Sequence, residues 1–330
     1  MISHTKREKT MAPVVEIENL TKDYEVGFLR KKKVRALDGL SLTVEGGEIF
    51  GFLGANGAGK TTTMKLLMRL IYPTAGTARI LGEDIGNVRM HERIGYLTEN
   101  PYFYDYLTAR EFLDYCAELF GYERHERRRR TEWLLKRVNL ERKSWDKQLR
   151  KFSKGMLQRV GIAQSIVNDP EIVFLDEPMS GLDPIGRREV RDLIAALRDE
   201  GRTIFLCSHI LSDIEVLCDR VAILKRGRLV EQGRLEELRS KAGDDHRIEI
   251  TVAGARAEAI EQHLAELSGA SVTTTASGAR IEVENELDVD KAIVALRRAG
   301  GRLVSVQPVR QSLEELFMRE AGNEDKGPKE

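Results

Sequence analysis

Gly54-Ala55-Asn56-Gly57-Ala58-Gly59-Lys60-Thr61 fits the pattern G-x-x-x-x-G-K-[ST], and its two flanks decide the fold class. Before it, Ile49-Phe50-Gly51-Phe52-Leu53 is an apolar run of strand length. After it, Thr62-Thr63-Met64-Lys65-Leu66-Leu67-Met68 reads as a helix. Strand, glycine-rich loop and helix together form the context in which this pattern binds phosphate. Glycines let backbone N–H groups converge on phosphate oxygens without side-chain clashes, and the helix N-terminus adds its partial positive charge. Lys60 is expected to reach the β- and γ-phosphates, and the Thr61 hydroxyl to bind Mg²⁺. Gly54, Asn56, Gly57, Gly59 and Thr62 complete the expected nucleotide-binding set. The bland alternative is a tight glycine turn that happens to precede a lysine.

Further along, Ile172-Val173-Phe174-Leu175 is apolar and rich in β-branched residues, so Asp176 and Glu177 fall at the C-terminal edge of a central strand. That edge is where ligands collect in open α/β sheets. Adjacent carboxylates leave a strand end in different directions and can hold different roles. Asp176 is expected on the Mg²⁺ side, while Glu177 orients and deprotonates the attacking water. Taken alone, Asp-Glu after an apolar strand is commonly a helix N-cap or a solvated turn. Behind a phosphate loop the catalytic reading dominates.

Phe152-Ser153-Lys154-Gly155-Met156-Leu157-Gln158 then completes an ordered set of motifs, and with it the chain resembles the ATP-binding subunit of an ABC transporter. The family's signature segment has the usual form Ser-Gly-Gly-Gln; this chain keeps Ser153 and Gly155 and departs at Lys154 and Met156. Ser153 heads an amphipathic helix, so its hydroxyl and the neighbouring N–H groups form a helix-N-terminal anion site. The resemblance implies that this site, Ser153 and Gly155 included, meets the γ-phosphate held by an opposite subunit, a second copy of the chain or a homologous ATPase subunit. An ordinary Ser N-cap is the bland reading of the same residue. Lys154 either assists phosphate binding or faces solvent.

Other residues extend the resemblance. Ser180-Gly181-Leu182-Asp183 matches the loop that crosses the family's dimer interface, and Asp183 is counted with the nucleotide-binding residues on that ground. His209, directly after Thr203-Ile204-Phe205-Leu206-Cys207-Ser208, matches the switch histidine that touches the γ-phosphate; the other five histidines have no comparable context. Tyr24 matches the aromatic that stacks on adenine, its alternative being a half-buried strand tyrosine. Glu99 stands where the family normally carries a glutamine, similar to some export-type ATPases. A carboxylate there accepts from water or approaches Mg²⁺, but it adds negative charge beside phosphates, so the site leans harder on the metal.

Composition agrees with that resemblance. Lys and Arg total 53 and Asp and Glu total 53, a net charge of zero that gives no support for nucleic-acid binding. Three cysteines, Cys116, Cys207 and Cys218, stand at unrelated spacings and read as free buried thiols of a reducing cytosol. No apolar run reaches the ~18 residues a membrane span requires. Residues 1–13 are polar, lack the apolar core of a signal peptide, and are expected to be disordered. Arg30-Lys31-Lys32-Lys33 reads as a solvated hairpin, and Arg127-Arg128-Arg129-Arg130 as a solvated helix face.

Residues 14–240 alternate strands and amphipathic helices, with a wholly helical subdomain over about 101–169 that carries Ser153. Within it, helices are expected over 108–120, 131–138 and 153–167. A break follows at Ser240-Lys241-Ala242-Gly243-Asp244-Asp245. Residues 241–320 then read as β-α-β-β-α-β, with a capping box at Ser312 to Glu315 and a disordered tail over 321–330. The fold class is therefore α/β: a P-loop NTPase core of the ABC-ATPase kind with a helical subdomain, plus a small α+β, ferredoxin-like C-terminal domain. That tail is similar to the accessory domain of export-type ABC ATPases, which often end in Ser-Leu-Glu-Glu-Leu-Phe, here Ser312 to Phe317.

The resemblance implies hydrolysis of ATP with Mg²⁺ by a head-to-tail dimer that powers transport, with export as the expected direction, through a separate integral membrane permease. It also implies a cytoplasmic subunit held peripherally on the inner face of the cell membrane. Tyr102-Phe103-Tyr104, near Glu99, is either a docking patch for that permease or subdomain packing. An alternative class is a soluble ABC ATPase acting on ribosomes or nucleic acid. A single phosphate loop and the absence of sustained heptads between Lys60 and Asp176 speak against it.

Overall fold

Continuous apolar runs make strands buried on both faces, and three such runs build the centre of this molecule. The computed structural model describes residues 13–27, 32–241, 247–264, 269–275 and 278–308. Two units are distinguished, Met1–Leu235 and Glu236–Glu330. The first unit begins with β1 (Pro13–Val26), β2 (Lys32–Glu45), β3 (Ile49–Leu53), α1 (Lys60–Leu67), β4 (Ala75–Ile80), β5 (Glu83–Asp84) and β6 (Ile94–Leu97). Next come the helices α2 (Ala109–Leu119), α3 (Arg124–Arg137) and α4 (Lys154–Ser165). It closes with β7 (Ile172–Asp176), α5 (Pro184–Asp199), β8 (Thr203–Ser208), α6 (Leu211–Leu217), β9 (Arg220–Lys225) and β10 (Arg228–Arg234).

Two sheets result, a four-stranded one of order β2-β1-β4-β5 and a six-stranded one of order β10-β9-β3-β8-β7-β6. In the second, β3, β6, β7, β8 and β9 run parallel, and β3, β7 and β8 are buried at every residue. Phe50, Phe52, Phe174 and Phe205 form its aromatic centre, with ring centroids 5.4 to 5.5 Å apart around Phe205. The three cysteines are free and buried. Burial pushes the Cys116 thiol up to about 12 and those of Cys207 and Cys218 well above the ordinary range, so all three are poor nucleophiles.

The helical insertion departs from expectation in one element. A helix was expected over 131–138, yet α3 starts at Arg124 and takes in the whole arginine run. Arginine is a good helix former, and here the run is more than a solvated face. Arg127 pairs with Glu118 of α2 at 2.5 Å. Arg130 donates to the Val167 and Ile166 carbonyls at 3.0 and 2.8 Å, satisfying oxygens just past the end of α4. Only Arg128 and Arg129 stay exposed. Thr108 caps α2 in a reciprocal box with Glu111.

Helix α7 (Leu235–Lys241) begins on the last residue of the first unit, and the second continues with β11 (Ile248–Ala253), α8 (Ala257–Leu264), β12 (Ser271–Thr275), β13 (Gly278–Val283), α9 (Val289–Arg298) and β14 (Arg302–Pro308). Its antiparallel sheet has the order β12-β13-β11-β14, the split-βαβ arrangement, around a core that includes Ile250, Ile260, Ile281 and Leu296. Residues 1–12, the Arg30-Lys31 pair, the break at 242–246 and the 312–315 capping box lie outside the described residues.

At Gly95 on β6 the last residue of α4 approaches the central sheet closely. A Cβ at this position would overlap the Ser165 carbonyl oxygen. Gly95→Ala is therefore expected to lower stability by about 1–3 kcal/mol through overpacking. Urea unfolding measures this, and an unchanged midpoint would refute the close approach.

Candidate functional site

Parallel register sets the site. Leu53 lies opposite Ser208, and Asp176 opposite Cys207, so β3, β8 and β7 end side by side. The segments leaving these three strands are therefore gathered on one edge: the 54–59 loop, Glu177 and His209. Leu97 ends β6 opposite Leu175, and Glu99 follows two residues later.

The loop is shaped by close backbone approach. Gly59 has φ +111°, and a Cβ there would stand 2.8 Å from the Ala36 carbonyl oxygen. At Gly54 a Cβ would stand 2.6 Å from the Leu224 carbonyl oxygen. Side chains at these positions would push the loop off the strands that support it. Lys60, 6% exposed, donates to the Gly54 carbonyl at 2.7 Å and the Ala55 carbonyl at 3.4 Å. Its ammonium also stands 3.4 Å from Glu177 Oε1.

Glu177 has φ +51°, a left-handed conformation that costs a non-glycine residue about 1–3 kcal/mol. Its N–H donates to the Cys207 carbonyl at 3.0 Å, fixing the turn. The carboxylate is thereby held between Lys60 and His209, whose Nδ1 lies 2.8 Å from Oε2. An ionised carboxylate only accepts, so Nδ1 is the donor. A carboxylate so oriented, at the mouth of a phosphate loop, can take a proton from water.

Asp176 is the opposite case. It is fully buried, and among the described residues neither carboxylate oxygen has a well-formed hydrogen bond, the Thr61 hydroxyl being the polar group that reaches toward it. Burial pushes its carboxyl up to about 6; the adjacent Thr61 hydroxyl and Lys60 pull it down, and the charges of Glu177 and Glu99 push it further up. An orphaned carboxylate beside a hydroxyl is oxygen-donor chemistry suited to a hard divalent cation such as Mg²⁺.

Of these groups, Lys60, Thr61 and Glu177 border a cavity of about 340 Å³. Asn56, Gly57, Gly59, Lys60, Thr61 and Thr62 form one wall, and Glu99 and Glu177 contribute carboxylates. Ala36 also lines it, and no sequence motif marked that residue. Its role lies in its backbone, the carbonyl that Gly59 packs against.

Seven expected site residues are not among those lining this cavity: Tyr24, Gly54, Ser153, Gly155, Asp176, Asp183 and His209. Tyr24 is half-buried on β1, with the Lys22 ammonium 5.3 Å from its ring centre. Ser153 caps α4, accepting from the Met156 N–H at 3.3 Å, and Asp183 caps α5, accepting from the Gly186 N–H at 3.0 Å. Lys154 is exposed, and its side chain crosses a neighbouring turn. Its ammonium lies over the left-handed Gly181, where it would overlap any added Cβ.

Comparison with known proteins agrees with this geometry. A family profile described as ABC transporter matches residues 37–180, and one described as the C-terminal domain of DrrA1-3-like ATP-binding proteins matches residues 233–321. An uncharacterised ABC transporter ATP-binding protein of Synechocystis is 45% identical over 320 residues, covering 97% of this chain and 88% of the relative. This chain belongs to the ATP-binding proteins of ABC transporters. The bacitracin transport ATP-binding protein of Bacillus licheniformis is 41% identical to it over 234 residues, which is 70% of this chain and 73% of that one. A dimeric ATP-binding cassette bound to ADP and phosphate superposes with a TM-score of 0.61 at 26% identity, covering 67% of this chain and 98% of that one.

ABC cassettes bind ATP and are ATPases coupled to transport, and the α/β architecture described above is their P-loop NTPase fold. Among the described residues no helix is long and apolar enough to cross a membrane.

The Asp176 environment gives this cassette a measurable pH signature. Its carboxyl titrates higher in the folded state, about 6, than the ordinary 3.8, so the native state binds the extra proton. Stability from this group is present below pH ~4 and is lost as pH rises through about 6, by up to about 3 kcal/mol. Nucleotide-free Asp176→Asn is therefore expected to be more stable than wild type at pH 7, with the gain vanishing near pH 4. Thermal melts at both pH values decide it; a variant destabilised at pH 7 would contradict the orphaned carboxylate.

Proposed function

We propose that this cassette hydrolyses ATP with Mg²⁺ as a head-to-tail pair, with a second copy or a homologous ATPase subunit, and drives export through a separate integral membrane permease. The observation that carries the reading is the division of the motif residues. Glu177 contacts both Lys60 and His209 at the cavity, whereas Ser153 and Asp183 head helices outside it. A second cassette turned head to tail would bring its own Ser153 and Gly155 to the open side.

In that pair Lys60 and the loop N–H groups hold the β- and γ-phosphates, and Asn56 and Thr62 line their path. Asp176, Thr61 and Glu99 hold Mg²⁺, which when bound neutralises charge on the phosphate oxygens. Glu177 orients the attacking water and takes its proton. His209 fixes the Glu177 carboxylate and senses the γ-phosphate. Tyr24 stacks on adenine from the edge of β1, and Asp183 crosses to the partner.

Permease docking is supported by an aromatic cluster near Glu99. Tyr102 is 84% exposed and Tyr106 61% exposed, and Tyr104 stands edge-on to Tyr115 with ring centroids 5.9 Å apart. Phe103 instead turns inward against Phe112 at 5.3 Å, so the segment serves both packing and presentation. An exposed apolar patch of this kind fits a protein partner. The cassette then sits on the cytoplasmic face of the membrane, held there by the permease. The unit from Glu236 onward carries none of the proposed catalytic residues, and a role in assembly or regulation fits it. What supports export is the resemblance of the cassette's C-terminal unit to export-type accessory domains, and a relative named for bacitracin transport is compatible with it.

Two variants separate this reading from simpler ones. Glu177→Gln is expected to cut ATP turnover at least about 100-fold, the scale for losing a general base, while ATP-bound dimers accumulate in size-exclusion runs. Near-normal turnover would remove Glu177 from its role. If Ser153 only caps α4, Ser153→Asp, also a good cap, is nearly silent, and Ser153→Ala costs about 1 kcal/mol of stability. If it faces a partner's γ-phosphate, Ser153→Asp abolishes turnover while monomer folding and ATP binding persist. An active Ser153→Asp enzyme would defeat the paired arrangement.

A further inference from the structure

The helical subdomain contains a second cavity, of about 450 Å³, that shares no lining residue with the nucleotide cavity. This volume lies in the range of small-ligand sites. Arg110, Arg124, Arg127, Arg128 and Arg142 supply five guanidinium groups to its wall. Against them stand three carboxylates, Glu111, Asp114 and Glu132, so the lining carries a net charge of 5 − 3 = +2.

Part of this charge is answered from outside the wall, Arg127 by Glu118 at 2.5 Å and Arg110 by Asp146 at 2.8 Å, whereas the wall's own carboxylates give Arg124, Arg128 and Arg142 no ion pair of hydrogen-bond length among the described residues. Glu111 is turned toward its own helix start, where it accepts from the Thr108 N–H at 2.8 Å and the Thr108 hydroxyl at 2.9 Å. Asp114 lies 3.6 Å from Arg127. Glu132 lies 3.6 Å from Arg110 and 3.9 Å from Arg128. Such separations are too long for hydrogen bonds.

Two polar atoms in this wall are orphaned. Among the described residues the Thr131 hydroxyl, on a residue 1% exposed, has no hydrogen-bond partner, and neither has the buried Nε of Arg127, whose Nη1 pairs with Glu118. Buried groups left in that state are costly, and each is a donor waiting for an acceptor. A ligand that satisfies them must be rich in acceptors, carry more than one negative charge, and suit the planar fork of a guanidinium. A phosphate monoester or diphosphate meets all three conditions.

We propose that the cavity between α2 and α3 binds a multiply charged phosphate group, apart from the nucleotide site, with Arg124 and Arg142 at its mouth and the Thr131 hydroxyl and Arg127 Nε at its base. The same chemistry is offered by a free phosphorylated metabolite and by the headgroup of a phosphomonoester lipid.

The test uses the full chain carrying Lys60→Ala, which removes the ammonium of the nucleotide cavity, with pyrophosphate as probe. Calorimetry is expected to show saturable binding that weakens with added salt, accompanied by a change in tryptophan fluorescence, because Arg110 and Arg142 lie 5.2 and 5.5 Å from the Trp145 ring. Adding Arg124→Gln and Arg142→Gln, both exposed positions, should weaken it at least about 10-fold. Thr131→Val, which keeps the side-chain volume, should weaken binding yet raise the melting temperature of the ligand-free protein. Cosedimentation with phosphatidylcholine vesicles carrying phosphatidic acid, lost in the double arginine variant, would assign the group to a lipid headgroup. Pyrophosphate binding without vesicle binding would assign it to a free anion. No binding in either arm, or binding that the arginine and Thr131 substitutions leave unchanged, would overturn the proposal.

Discussion

A buried lysine needs its charge answered, and the catalytic edge of this cassette is organised around that need. Lys60 is held by the Gly54 carbonyl at 2.7 Å and by Glu177 Oε1 at 3.4 Å, in a setting where only 6% of either side chain is exposed. Removing one partner of such a pair leaves an uncompensated charge in a low-dielectric site. The contact therefore ties the phosphate loop after β3 to the acidic turn after β7. His209, at the end of β8, completes the chain through its 2.8 Å bond to Glu177. The strained backbone of Glu177 is offset by these partners and by its N–H bond to Cys207.

Two consecutive acids have acquired opposite environments because the strand ends between them. Asp176 is the last residue of β7 and keeps a strand residue's burial, with neither oxygen in a well-formed hydrogen bond among the described residues. Glu177 is the first residue of the turn and swings back over the loop toward a lysine and a histidine. On the proposed function, one carboxylate is thus suited to a cation and the other to a proton. Neighbours in sequence come to differ in chemistry through a single change of backbone conformation.

Much of this was legible in the sequence, wherever a residue acts through its own side chain in a spaced pattern. The phosphate loop, the acid pair, His209 and the order of elements after β11 all announce themselves in that way. Contributions made through backbone or through tertiary neighbours did not. Ala36 acts by its carbonyl, which any residue possesses. Lys154 was ambiguous because the glycine it covers, Gly181, lies 27 residues away in the chain. The arginine run looked like a solvated face because its partners, Glu118 on α2 and the carbonyls beyond α4, come together only on folding. The cavity between α2 and α3 was invisible for the same reason. Tyr24 and Ser153, placed by resemblance, lie outside the nucleotide cavity of a single chain.

The most direct measurement of the central claim is calorimetric titration of ATP with Mg²⁺ into wild type, Lys60→Ala and Glu177→Gln. If Lys60 is the shared counter-ion of Glu177 and the phosphates, Glu177→Gln frees it from a competing carboxylate and binds the nucleotide at least as tightly as wild type. Lys60→Ala, in contrast, loses affinity by tenfold or more, about 1.4 kcal/mol. Should Glu177→Gln weaken binding as much as Lys60→Ala does, or Lys60→Ala bind unchanged, the lysine is not the hinge of this site.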